Sequence, residues 1–155
     1  MSEKSFEIRG GAKLEAILKQ LEKKAEHAGV LAVGFLENAT YPDGTSVATV
    51  ASVQEFGSPS KKIPSKPFFR NAIRINSPEW GVTLAAIVKV YNYDTTAALT
   101  VMGERIKAQI QESIHKGPFV PLKPITVKRK GFATPLIDSA VMLRSVDYEI
   151  EEGEL

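Results

Sequence analysis

Between Asp94 and Gly117 the apolar residues Leu99, Met102, Ile106, Ile110 and Ile114 recur every three or four positions. That spacing places them on one face of an α-helix. Asp94 is positioned to cap its start, and Lys116-Gly117-Pro118 to close it. A helix of this length, roughly 30 Å at 1.5 Å per residue, cannot leave such a stripe in water. The rest of the chain has to supply a surface to cover it.

Several segments are candidates for that surface. Ser5 to Arg9 alternates, with Phe6 and Ile8 on one side, and predicts a short strand ended by Gly10-Gly11. Lys13 to Ala28 predicts a helix whose stripe is Leu14, Ile17, Leu18, Leu21 and Ala25, with Gly29 at its C-terminal end. Val30 to Leu36 predicts a buried strand, and Tyr41-Pro42-Asp43-Gly44 a turn. Ser46 to Phe56 carries valines and a threonine that suit a strand. Val47, Val50, Ala51 and Gln54 nevertheless keep helical spacing, Ser46 can cap and Gly57 can end, so a helix is expected. Ser77-Pro78-Glu79 has the form of a helix start, followed by Trp80, Leu84, Ile87, Val88 and Tyr91 on one face. Asp138 or Ser139 is expected to cap a single turn through Leu143. Ser145 to Glu151 predicts a closing strand with Val146, Tyr148 and Ile150 on one side.

The expectation is therefore an α+β fold: a small, mostly antiparallel sheet of about three to four strands packed against four or five helices. The chain of 155 residues is expected to form one domain, 1–155, with extended loops at about 57–66 and 117–135. The second of these holds four prolines and reads as a proline-rich basic arm.

Charge is uneven although its net value is only +2. Lys61, Lys62, Lys66, Arg70 and Arg74 lie between Glu55 and Glu79 with no acid among them. Lys116, Lys123, Lys128, Arg129 and Lys130 do the same between Glu112 and Asp138. The end of the sequence reverses sign with Asp147, Glu149, Glu151, Glu152 and Glu154. Two basic segments and one acidic segment can match across a subunit contact, or can simply be solvated. There is no cysteine, which removes disulfides and thiolate sites and fits a reducing cytoplasm. No apolar run approaches the roughly 20 residues that cross a bilayer, so a soluble protein with no membrane partner is expected.

Catalytic candidates are few. His27 and His115 each fall in the last turn of an expected helix, where the dipole favours an imidazolium, and no paired H-E-x-x-H motif accompanies them. Gly57-Ser58-Pro59-Ser60 lacks the G-x-S-x-G form, and no phosphate-binding glycine motif occurs. The expectation is a protein that is not an enzyme and takes no cofactor or metal. Lys128-Arg129-Lys130, flanked by Phe119 and Phe132, is a compact cationic tip. It supports an alternative reading as a nucleic-acid-binding or regulatory module.

One order of phrases is more specific. A strand at Val33-Gly34-Phe35 precedes a helix ending Val53-Gln54-Glu55-Phe56-Gly57, and then comes Ile63-Pro64-Ser65-Lys66-Pro67-Phe68-Phe69-Arg70. Downstream stand Pro124-Ile125-Thr126-Val127-Lys128 with Lys130-Gly131, then Pro135-Leu136-Ile137-Asp138-Ser139 and a closing strand around Tyr148. Over about residues 13 to 151 this order resembles the tail-completion and head–tail joining proteins of tailed bacteriophages. That group is similar to the minor tail protein Z of lambdoid phages and the gene 10 product of phage HK97. The group usually carries arginine where Lys66 stands, and threonine and glycine where Ser139 and Ala140 stand.

The resemblance implies a structural virion protein at the head-proximal end of the tail, assembled in the host bacterial cytoplasm. Its partners would be further copies of itself in a homo-oligomeric, hexameric ring, the tail tube protein and a head-neck protein. It implies an interface made by Phe56, Lys61, Lys62, Ile63, Pro64, Lys66, Pro67, Phe68 and Phe69, with the prolines stiffening the loop and the phenylalanines anchoring it. Lys123, Lys128, Arg129 and Lys130 would face a lumen through which genomic DNA passes, touching it without sequence preference.

Overall fold

A computed structural model describes residues 11–25, 29–117 and 140–153. Within them the element order is α1 (Gly11–Ala25), β1 (Gly29–Phe35), α2 (Val47–Phe56), α3 (Phe68–Val90), α4 (Thr95–Lys116), α5 (Val141–Arg144) and β2 (Val146–Glu152). The fold is α+β, and its described sheet has two antiparallel strands in the register Val30↔Glu151, Val33↔Tyr148 and Phe35↔Val146. The expected strand at Ser5–Arg9 and the arm at 118–135 lie outside the described residues. No helix among the described residues is long and apolar enough to cross a membrane.

Helix α4 is the axis. Asp94 caps it by accepting the Ala97 N–H at 2.9 Å, and Gly117 closes it by donating to the Ser113 carbonyl at 3.0 Å. Its expected stripe is the core: Met102, Ile106, Ile110 and Ile114 are buried and Leu99 half-buried. They pack with Val47, Ala51, Phe68, Ala72, Met142 and Val146. The sheet lies on α4 through the face that carries Val33 and Tyr148. Gly103 makes this approach close enough that a Cβ built there would stand 2.5 Å from the Tyr148 ring. The ion pair Lys107–Asp147, at 3.0 Å, ties α4 to β2 beside that contact.

Three sequence expectations change. Helix α3 does not start at Ser77-Pro78-Glu79: it begins at Phe68 and runs through Pro78. Proline removes one N–H from the ladder, and it does so on a stretch where Arg74, Ser77 and Pro78 are all exposed. Asp138 and Ser139, expected to cap the short helix α5, lie outside the described residues. Its N-cap is Ala140, in the left-handed region at φ 57°, with no side-chain cap bond. Strand β1 is half-buried rather than buried: α4 covers one face of the two-stranded sheet, and on the other face Val30 is 58% exposed. Helix α1 also departs in packing. It forms where expected, but Leu14, Ile17 and Leu18 are exposed, and Lys24 fixes its end by donating to the Asn92 carbonyl at 2.7 Å.

The Lys107 ammonium, then the Tyr148 N–H, hold the Asp147 carboxyl below its usual range, and the bond to Asp147 raises Lys107 in turn. A lowered carboxyl stabilises the fold above its unfolded pKa, a benefit lost as pH falls through the folded value; a raised amine is the mirror case. The pair is therefore expected to contribute evenly from about pH 4 to about pH 10. Asp147→Asn should flatten the acid limb of a stability–pH curve without moving the neutral plateau relative to Lys107→Met. Separately, Gly103→Val should overpack the Tyr148 contact and cost about 1–3 kcal/mol in urea unfolding.

Candidate functional site

The N-terminus of α3 has no cap of its own: Pro67 holds the N-cap position and makes no side-chain cap bond. The first N–H groups of a helix still need acceptors. The Phe68 N–H goes to the Lys66 carbonyl at 2.7 Å and the Asn71 N–H to the Pro67 carbonyl at 3.1 Å. The two between them are taken by one side chain from another helix. Glu55, at the end of α2, accepts the Phe69 N–H on Oε2 at 2.9 Å and the Arg70 N–H on Oε1 at 3.2 Å. The Arg70 guanidinium closes the set, donating from Nε to Glu55 Oε1 at 2.7 Å and from Nη2 to the Glu55 carbonyl at 3.2 Å. Glu55 is only 5% exposed, yet its carboxylate is fully engaged.

The loop between the helices is knitted to the same place. Ser65 Oγ donates to the Glu55 carbonyl at 2.6 Å, and the Lys66 N–H to the Gln54 carbonyl at 2.7 Å. The Lys66 ammonium turns inward, 8% exposed, and donates to Gln54 Oε1 at 2.9 Å. Ahead of it, residues 58–63 make a tight hairpin in which Ser58 and Ile63 exchange backbone bonds at 2.9 Å in both directions. Gly57 makes the entry possible. Its φ is 76°, and a Cβ there would meet the Ile63 carbonyl and the Ser65 nitrogen at 2.8 Å. The segment expected to be an extended loop at 57–66 is therefore a folded hairpin with an internally bonded exit.

This framework sorts the phenylalanines. Phe68 is fully buried, edge-on to Phe35 at 6.1 Å and to Phe69 at 6.4 Å, and its carbonyl accepts from Ser113 Oγ of α4 at 2.6 Å. Phe69 is half-buried. Phe56 is 65% exposed, with the Arg70 guanidinium 5.1 Å above its ring. Between them an open slot of about 230 Å³ is lined by Phe35, Ala48, Ala51, Phe56, Phe68 and Phe69, with Glu55 and Arg70 at its rim.

Of the residues expected at an interface, Phe56, Lys61, Lys62 and Pro64 are exposed on this side of the chain. Ile63, Pro67 and Phe69 are half-buried, and Phe68 and Lys66 belong to the interior. Lys123, Lys128, Arg129 and Lys130 lie outside the described residues, as does His27; His115 is exposed in the last turn of α4. Among the described residues no cluster of three or more His, Cys, Asp or Glu could hold a metal. Glu55, Arg70, Gln54 and Ser65 were not legible as a unit from the sequence. The available signal was an acid in the last turn of a helix, where its own dipole disfavours it. No family model, no curated protein and no solved structure matches the chain.

Glu55→Ala removes the acceptor of two backbone N–H groups and of Arg70, and is expected to cost about 2–4 kcal/mol in chemical denaturation. Glu55→Gln should cost less, since one amide oxygen still accepts. A double-mutant cycle with Arg70→Met should leave most of the Glu55 effect in place, because the capping bonds survive loss of the guanidinium.

Proposed function

We propose that this protein is a structural component of a tailed-phage virion, acting by surface matching rather than by catalysis. In this reading it is a subunit of a ring, sixfold by the family pattern, at the head-proximal end of the tail. There it completes or terminates the tail tube and joins it to the neck. The observation that carries the reading is the use made of polar groups between Gln54 and Arg70. Glu55, Ser65, Lys66 and Arg70 all direct their bonds into holding the shape of the segment. What is left facing outward is a stiff cationic hairpin and an aromatic slot. A pre-ordered, partly apolar surface with charged edges suits association, since little ordering entropy is lost on contact. Genomic DNA would pass through the ring, and the basic arm with Lys123, Lys128, Arg129 and Lys130 would line the lumen.

A phage carrying an early stop in this gene tests the reading by electron microscopy of lysates. The expected result is filled heads and free tails that have not joined, and tails of uncontrolled length would assign termination. Intact, infectious particles would overturn it.

A further inference from the structure

The sheet face turned away from α4 carries a second surface, apolar at its centre and acidic at its edge. Val30, exposed, stands opposite Glu151 in the strand register, and Glu149 is its diagonal neighbour on the same face. Glu149 and Glu151 are both exposed. This is a small apolar centre inside an anionic rim. The slot is an apolar centre edged by the Glu55–Arg70 ion pair, and the hairpin that follows Phe56 and Gly57 adds the exposed cations Lys61 and Lys62. Apolar centres with oppositely charged edges are the anatomy of a specific protein contact.

The two surfaces cannot meet within one chain. Val30 and Phe35 sit at opposite ends of β1 and point to opposite faces, roughly 16 Å apart along the strand at 3.3 Å per residue. We infer that the slot of one copy receives the Val30 face of a second copy, with Lys61 and Lys62 set against Glu149 and Glu151. Such a contact joins unlike surfaces, so each copy keeps one free donor and one free acceptor face, and repetition closes a ring or extends a stack. The inference rests on the ring-subunit reading above and names the faces that subunit uses.

Charge reversal tests it on the full chain by light scattering after gel filtration, with circular dichroism confirming the fold of each variant. Lys61→Glu with Lys62→Glu, and separately Glu149→Lys with Glu151→Lys, should each reduce the assembled wild type to the mass of one chain. Val30→Asp should do the same. Mixing the two reversed proteins restores opposite charges at every contact and should restore assembly, which a merely structural defect would not do. Assembly of the wild type should weaken as salt is raised, because the rims are solvent-exposed. If both reversals assemble as the wild type does, the pairing is wrong while the ring reading stands. A wild type that stays a single chain at every concentration also overturns the pairing, and the ring reading is then decided by the stop-codon phage alone.

Discussion

One carboxylate decides how α2 meets the start of α3. Glu55 lies in the last turn of α2, where the helix dipole opposes an acid, and at the first turn of α3, where the dipole welcomes one. Those dipole effects are worth about 0.3–1 kcal/mol each and nearly cancel. Hydrogen bonds to a charged group, about 1.5–3 kcal/mol each, therefore settle the matter. Glu55 accepts the Phe69 and Arg70 N–H groups and pairs with the Arg70 guanidinium. It lets a helix begin at a Pro-Phe-Phe sequence that has no capping residue.

Much of the remaining architecture follows from that start. With α3 beginning at Phe68, this ring is buried edge-on to Phe35 of β1, and the Phe68 carbonyl accepts from the Ser113 hydroxyl of α4. Ala72, one turn on, joins the same core, and the exit of the hairpin is fixed because Ser65 and Lys66 bond back to the end of α2. The hairpin and Phe56 are held out from the body as a result. A loop anchored at both ends and stiffened by Pro59, Pro64 and Pro67 has little freedom left to lose on association. The link from residue chemistry to the proposed assembly role runs through this lost freedom.

The elements written locally were legible in the sequence. Helix α4 carries its own cap, stripe and terminator, and α2 carries Ser46 and Gly57, so spacing and end signals sufficed for both. The start of α3 was not legible, since Ser77-Pro78-Glu79 is a strong local signal while the true cap comes from Glu55, far back in the chain. Lys66 misled for the same reason. It reads as a surface cation among cations, but Gln54 gives its ammonium a partner in the interior. The stripe of α1 forms one helix as its spacing predicts, yet amphipathic spacing says nothing about what covers it, and here Leu14, Ile17 and Leu18 remain exposed. In the candidate site, the aromatic and basic residues stood out by type, while Glu55, the residue that arranges them, did not.

Both the start of α3 and the proposed assembly role depend on Gln54 to Arg70 behaving as one ordered unit. Amide hydrogen exchange at Lys66, Phe69 and Arg70, followed by NMR on the wild-type protein, tests this directly. Those N–H groups should exchange as slowly as the core of α4, opening only with the whole fold, because each is bonded within the Gln54–Glu55 network. Exchange at the rate of an open loop, while Ile106 and Ile110 stay protected, would contradict it.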